Sequence, residues 1–264
     1  MITSDSLKIT LIQSNLFWED KITNIKQFTN RIFDIIDQTD LFVLPEMFST
    51  GFTMNSEKLA ETMDGFTVTW MKEVAMVKNA AICGSVIISE NNKIFNRFLF
   101  VEPNGNVQFY NKSHLFRMAE ENKFYSTGNE RIIIDYKGWK IAPFICYDLR
   151  FPVWLKRTEN FDYDLMILVA SWPEKRITHW QVLTQARAIE NQCYVAAVNR
   201  VGEDGKQTNY NGQTALFNLQ GKIINEMTQE ELETTFTIHL PELRTYRKAF
   251  PVNLDDDNFE LNNN

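Results

Sequence analysis

Cysteine is scarce in this 264-residue chain: Cys83, Cys146 and Cys193 are the only three, and no Cys-x-x-Cys pair occurs. An odd, sparse set excludes a disulfide framework and fits free thiols in a reducing compartment, so a cytoplasmic protein is expected. Histidine is equally scarce. His114, His179 and His239 are scattered, without the ligand spacing of a zinc site, and no metal is expected. No Gly-x-Gly-x-x-Gly or other phosphate-cradling loop is present, and no cofactor is expected. Positive charge is in deficit. Against 34 acidic residues stand 27 basic ones, a net charge of −7, which argues against a nucleic-acid surface. Part of that charge is local, in Asp255-Asp256-Asp257. The longest apolar runs, such as residues 165–170, are strand-sized and too short to span a membrane. The N-terminus lacks a basic stretch followed by an apolar one, so no secretory signal is read there. Asn111-Lys112-Ser113 matches a glycosylation pattern, which means little without such a signal.

What remains is the composition of an ordinary globular protein, 44% apolar and 23% charged. A chain this long buries about three quarters of its unfolded surface and needs no staple. With no repeat and no linker, residues 1–264 are expected to form one domain. Its core runs over about 7–240, followed by an extension from 241 whose last ten residues are polar and expected to be mobile.

Periodicity supplies the elements. Residues 7–13 alternate as a strand, and Ile22, Ile25, Phe28, Ile32 and Ile35 mark an amphipathic helix. Strands are predicted at 41–44, 81–88, 95–102, 107–111, 132–136, 139–145, 165–169, 194–199, 213–218, 222–226 and 234–239. Helices are predicted at 64–79, from Phe151-Pro152, and at 177–191, with Val182, Ala186 and Ile189 on one face. A turn falls at 103–106 and a hairpin at Lys137-Gly138. Between them residues 113–130 form a long polar loop, a feature that is often functional. Strands alternating with helices, then consecutive strands, give an α/β layered fold.

Three polar residues lie just beyond strand ends, where sites of open α/β sheets gather. Glu46 follows the strand at 41–44, Lys112 follows 107–111, and Cys146 follows 139–145 and precedes a helix. A carboxylate, an ammonium and a thiol suit covalent catalysis without a metal. A nearby lysine and a helix N-terminus both lower a thiol's pKa. A carboxylate can take the thiol proton and pass it to a leaving amine, and Lys112 can stabilise an oxyanion. Each residue also has an ordinary reading: a small buried hydrophobe, a loop carboxylate, a solvated lysine.

The segments carrying these residues settle between those readings. Leu44-Pro45-Glu46-Met47-Phe48, Tyr110-Asn111-Lys112-Ser113-His114-Leu115-Phe116 and Ile145-Cys146-Tyr147-Asp148-Leu149-Arg150-Phe151-Pro152 resemble the nitrilase superfamily of carbon–nitrogen hydrolases. So do Ala170-Ser171-Trp172-Pro173, Arg187-Ala188-Ile189-Glu190-Asn191, Asn199-Arg200-Val201-Gly202 and Tyr210-Asn211-Gly212-Gln213-Thr214. The resemblance spans roughly residues 7–240. It implies a four-layer αββα sandwich formed of two-sheet subunits, a catalytic triad of Glu46, Lys112 and Cys146, and a homodimer. The helix at 177–191 and the segment after Pro241 are the expected contacts.

The resemblance also implies a second glutamate in the loop after Lys112, orienting the lysine and positioning substrate and water. Glu121 fits it, with Glu120 as the neighbouring alternative and Gly128 closing the loop. The stretch from Lys112 to Glu121 looks like the bacterial omega-amidase branch, which acts on omega-amides of 2-oxo dicarboxylates such as 2-oxoglutaramate. Gln213-Thr214 departs from the His-Ser of many relatives, which bears on substrate detail. The implied chemistry is attack by Cys146, proton transfer through Glu46, and an oxyanion held by Lys112 and the backbone N–H of Tyr147. Arg150 and Arg117 are candidates for an anionic substrate group, Arg150 with a second reading as a brace of the cysteine loop. Trp172 is a candidate pocket wall or simple packing. Amidases of other small amides, and an inactive metabolite-binding homologue, remain the rivals.

Overall fold

The computed structural model describes residues 4–225, 227–257, 259 and 261. Along the chain run β1 (Ser6–Gln13), α1 (Lys21–Asp34), β2 (Leu41–Val43), α2 (Ser56–Leu59), α3 (Phe66–Lys78), β3 (Ala81–Glu90), β4 (Lys93–Val101) and β5 (Val107–Asn111). Then come β6 (Ile134–Tyr136), β7 (Trp139–Ile145), α4 (Pro152–Leu155), β8 (Leu165–Val169), α5 (Ile177–Asn191) and β9 (Tyr194–Val198). The last are β10 (Val201–Glu203), β11 (Asn209–Asn211), β12 (Ala215–Phe217), β13 (Leu232–His239) and α6 (Leu240–Ala249).

The strands form two main sheets. One has the order β13-β1-β2-β3-β4-β5, the other β12-β9-β8-β7-β6. In the first, β1, β2 and β3 are parallel, and in the second, β7, β8 and β9 are parallel. Side chains alternate across a strand, and the first sheet sorts its apolar residues accordingly. Leu7, Ile9, Leu11, Leu41, Val43, Phe98 and Phe100 face the second sheet and share its core. Ile12, Phe42, Leu44, Leu99 and Val101 face the other way and pack with Phe28 and Ile32 of α1 and Val68 and Met71 of α3. The strands of the second sheet are buried on both faces, and Trp180 and Ala188 of α5 join its core. Helix, sheet, sheet, helix are the four layers of an αββα sandwich, and one chain supplies all of them.

Helix α1 starts where Asp20 accepts a hydrogen bond from the Thr23 amide at 3.0 Å, an N-cap. Of its apolar stripe, Ile25, Phe28 and Ile32 are buried and Ile22 stands in solvent. In α5 the buried stripe is Trp180, Thr184, Arg187, Ala188 and Asn191. Val182 and Ile189 therefore point outward and are more than half exposed. The predicted strand at 222–226 reduces to a single bridge between Phe217 and Ile223, and Glu226 lies outside the described residues. So does part of the tail expected to be mobile, Asn258, Glu260 and 262–264.

Candidate active site

The two sheets present the carboxyl ends of their parallel strands to the same edge. Glu46 follows β2, Lys112 follows β5, Cys146 follows β7 and Ser171 follows β8. Residues far apart in sequence thus converge because strand direction, not sequence distance, sets where a strand's last residue lies.

Glu46, Lys112 and Glu121 form a fully buried cluster. Lys112 Nζ donates to Glu46 Oε1 at 2.8 Å and lies 3.0 Å from each oxygen of Glu121. Asn96 Nδ2 donates to Glu46 Oε1 at 2.8 Å, and the Ser171 amide donates to Glu46 Oε2 at 2.8 Å. The Phe116 amide donates to Glu121 Oε2 at 2.5 Å. A buried charge is tolerable only when paired and hydrogen-bonded, and each charge here is. Burial by itself lowers the lysine's pKa, but Glu121 and Glu46 outweigh it, hold the pKa above its ordinary value and keep the ammonium charged. The Glu121 carboxyl is raised, first by burial and further by Glu46, with Lys112 opposing. Glu120 instead projects into solvent and pairs with Lys123 at 2.5 Å. The loop that carries Glu121 is closed where the Gly128 amide donates to the Lys112 carbonyl at 2.9 Å. A β-carbon at Gly128 would lie 2.1 Å from the Asn111 carbonyl oxygen, so only glycine allows that closure.

Cys146 heads a 3₁₀ turn, Cys146–Arg150, with a backbone φ of +45°. That left-handed conformation costs a residue with a side chain about 1–3 kcal/mol, so the surroundings must hold it. Asp148, fully buried, does so. It accepts from the Ile145 amide at 3.0 Å, the Tyr110 hydroxyl at 2.8 Å and the His114 amide at 3.0 Å. Tyr110 and His114 flank Lys112, so one carboxylate ties the lysine's segment to the cysteine's turn. Arg187 of α5 braces the same turn by donating to the Leu149 carbonyl at 2.9 Å.

The turn differs from the expectation in one respect that matters. Only a four-residue helix, α4, follows it, so no long helix dipole points at the sulfur. Burial pushes the Cys146 thiol well above its ordinary pKa, the neighbouring Glu46 carboxylate raises it further, and Lys112 offsets only part of this. The surroundings therefore shift the thiol upward, opposite to the lowering that residue types alone suggested.

Cys146 opens on a cavity of about 460 Å³ whose walls include Phe52, Tyr147, Arg150, Trp172, Arg176 and Tyr210. Cys83 and Cys193 are fully buried elsewhere. Trp172 is nearly buried and held by Asn199, which accepts from its amide at 2.7 Å and donates to its carbonyl at 3.1 Å. Arg150 reaches into the cavity over the Trp172 ring, 5.0 Å from its centroid. Arg117 is exposed and is not part of the cavity wall. Its neighbours Phe116, partly buried, and Met118, exposed, border the cavity instead. Gln213 and Thr214 lie off the cavity wall: Gln213 accepts from Gln181 Nε2 at 2.9 Å, and the Thr214 amide donates to Gln13 at 2.9 Å. Asn96 and Asp148 were not singled out from sequence. Asn96 left one signal: with Arg97 it interrupts an otherwise apolar strand between Ile94-Phe95 and Phe98-Leu99-Phe100-Val101.

Among the described residues no group of three or more His, Cys, Asp or Glu could hold a metal ion.

Comparison with known proteins agrees with this geometry. A model of the carbon-nitrogen hydrolase family matches residues 8–248. The omega-amidase YafV of Escherichia coli K12 is 45% identical over 260 residues, covering 97% of this chain and 98% of that protein. The 2-oxoglutaramate amidase of Bacillus subtilis is 31% identical over 247 residues, covering 92% of this chain and 95% of that one. XC1258 from Xanthomonas campestris, a CN-hydrolase superfamily protein whose crystal structure has an arsenic adduct in the active site, superposes with a TM-score of 0.95 at 41% identity. That match covers 98% of this chain and 100% of the other. Sequence motifs, paired sheets and a cysteine seated where their carboxyl ends meet lead to one assignment: this chain belongs to the carbon–nitrogen hydrolase family.

Proposed function

We propose that the protein is an amidase that hydrolyses the omega-amide of short 2-oxo dicarboxylate monoamides, such as 2-oxoglutaramate and 2-oxosuccinamate, to the acid and ammonia. The observation that carries this reading is the single cysteine that opens on the cavity directly beside the buried Glu46–Lys112–Glu121 cluster. Its likeness, end to end, to an omega-amidase and a 2-oxoglutaramate amidase supports the substrate class.

In the proposed cycle Glu46 takes the Cys146 proton as the sulfur attacks the amide carbon. Because burial and Glu46 raise the thiol's pKa, attack and proton transfer are coupled in this reading. Lys112 and the Tyr147 backbone N–H hold the developing oxyanion, the kind of preorganised donor pair that acts most strongly away from water. Glu46 returns the proton to the amine, the carbon–nitrogen bond breaks, ammonia leaves, and an acyl thioester remains on Cys146. Water then attacks the thioester with Glu46 as base, releasing the acid and the free thiol. Glu121 acts by orienting Lys112. Arg150 and Trp172 contribute to the substrate wall.

The chain acts as one domain and pairs as a homodimer in this proposal. The apolar residues that α5 turns outward, Val182 and Ile189, and exposed Phe250 and Leu254 after α6 support that face as the contact. The three unpaired cysteines favour a cytoplasmic setting. No helix among the described residues is long and apolar enough to cross a membrane.

Ammonia release across a panel of omega-amides, neutral amides and nitriles tests the reading. Turnover of 2-oxoglutaramate or 2-oxosuccinamate above the neutral amides is expected. Activity on neutral amides or nitriles alone would overturn the substrate class and leave the hydrolase chemistry standing. Light scattering at micromolar concentration should give twice the monomer mass, and a monomer mass would reject the dimer.

A further inference from the structure

We propose that Arg176, acting with Arg150, is the carboxylate-binding subsite of the cavity, and that the pocket is electrostatically polarised so that substrate enters amide end first. The inference rests on the omega-amidase reading and specifies how the far end of such a substrate is held.

Directly behind the floor of the cavity, one hydrogen bond from its wall residues Ser171 and Phe116, lie two carboxylates, Glu46 and Glu121, for one ammonium, Lys112. An anionic group placed there meets repulsion that Lys112, already shared between both, does not relieve. The mouth has the opposite balance. Arg150, Lys175, Arg176 and Lys206 lie on its wall with only Glu174 and Asp204 as acids. Asp204 is spent on its own loop, accepting from the amides of Lys206 at 2.8 Å and Thr208 at 2.9 Å and from the Tyr210 hydroxyl at 2.9 Å. Glu174 is exposed. On a chain of net charge −7 the overall field does not attract a carboxylate-bearing substrate, so local cations must.

The two arginines are better placed for this than the lysines, which stand in solvent. Both are half-buried on the wall. Arg176 lies over the Phe116 ring, 5.2 Å from its centroid. Arg150 lies over Trp172 and hydrogen-bonds His179 Nδ1 at 2.8 Å. Among the described residues neither guanidinium is paired with a carboxylate; every other contact of Arg176 is made by its backbone. Trp172 links them, since its ring carries Arg150 and its Nε1 donates to the Arg176 carbonyl at 2.8 Å. A planar guanidinium resting on an aromatic face is preorganised for two parallel hydrogen bonds to a carboxylate, and an ammonium is not.

The test compares Arg176→Met, Arg176→Lys and Arg150→Met with wild type on 2-oxoglutaramate and on a neutral amide of similar length. Methionine keeps an apolar stem on Phe116. Arg176→Met should raise KM for 2-oxoglutaramate about 10- to 150-fold, the worth of a charge-assisted hydrogen bond. kcat should be nearly unchanged, as should both constants for the neutral amide. Arg176→Lys should recover part of the loss. Titration of 2-oxoglutarate into Cys146→Ala protein, with and without Arg176→Met, reads the same subsite in the absence of turnover. A Kd weakened by the same factor is expected there. If wild type hydrolyses 2-oxoglutaramate and the Arg176 variants lose no selectivity for it, the subsite is wrong and the amidase reading stands. If wild type does not hydrolyse it yet binds 2-oxoglutarate through Arg176, the subsite stands and the substrate reading falls. Equal losses on both substrates would make Arg176 structural and overturn the proposal.

Discussion

The floor and the mouth of one cavity are built on opposite rules. At the floor, Glu46, Lys112 and Glu121 have no contact with solvent, and each charge is held by the others and by amide donors from Asn96, Phe116 and Ser171. At the mouth, cations stand half or fully exposed on short turns and rest on aromatic rings rather than on carboxylates. A saturated, buried network has one low-energy arrangement and is costly to alter. An unsaturated, wet one can be changed residue by residue. In the proposed reading chemistry belongs to the first and discrimination between substrates to the second, so variants at the two ends should separate kcat from KM.

The sharpest way to break that comparison is at the sulfur. Cys146→Ala should abolish ammonia release and leave the melting temperature close to wild type, because the side chain lies at a cavity rather than within packed core. Turnover at the wild-type rate would end the covalent mechanism. With a slow substrate, intact-mass spectrometry of the wild type should show the acyl adduct.

Next in size come the floor charges. Glu46→Gln keeps the shape and removes the base, and kcat should fall about 10²–10⁴-fold. Lys112→Met should lower it about 10²–10³-fold, the usual worth of one oxyanion donor. In both, KM should move much less than kcat. A rise in KM with kcat intact would place these residues in substrate binding and erase the distinction between floor and mouth. Glu121→Gln should do comparable or milder damage, and solvent-exposed Glu120→Gln none. The reverse pattern would show that the loop places its two glutamates in the opposite roles.

A smaller effect separates the three thiols. Only Cys146 opens on the cavity, so an alkylating reagent should modify it well before Cys83 or Cys193. With its pKa raised, free enzyme at neutral pH should lack the thiolate absorbance near about 240 nm that an activated cysteine, with its pKa below about 7.5, would display. Finding that band would restore the low-pKa thiolate and remove the need for proton transfer to Glu46 during attack.

The smallest effect is a slope of stability against pH. Burial raises the pKa of Cys83, Cys146 and Tyr163, and pushes Cys193, Tyr136 and Tyr194 up to about 12. Unfolded thiols and phenols ionise near about 8.5 and 10. Above about pH 8.5 the folded chain therefore holds more protons than the unfolded one, and stability falls as pH rises toward the folded values. Thermal melting between about pH 7 and 11 should show a plateau and then a decline. A melting temperature that stayed level to the alkaline end would mean these groups are not desolvated as the fold implies.

Much of this arrangement was legible in the chain. The alternation of β1 and the 3–4 spacing of Ile25, Phe28 and Ile32 are local consequences of how side chains leave a strand or helix. Glu46, Lys112 and Cys146 stood out as polar residues just beyond the ends of predicted strands. Position along α5 was also legible, yet Val182, Ala186 and Ile189, which share a face, prove to be its outward one. Periodicity reports that residues share a face, and only the packing partner decides which face is buried. Arg117 and Arg176 show the same limit. Both are cations near motif segments, and a 3₁₀ turn at each place decides that one points to solvent and the other onto Phe116.

By itself, then, the sequence determined the family, the α/β layering and the candidate trio of Glu46, Lys112 and Cys146, because these follow from residue type, local periodicity and motif spacing. The tertiary structure alone decided their electrical state and their company. It decided that the Cys146 thiol is shifted upward rather than downward, that Asn96 and Asp148 hold the two segments in place, and that arginines without a carboxylate partner line the mouth. Desolvation and Coulomb interaction depend on distances across the space between two sheets, and no local pattern along the chain encodes those distances.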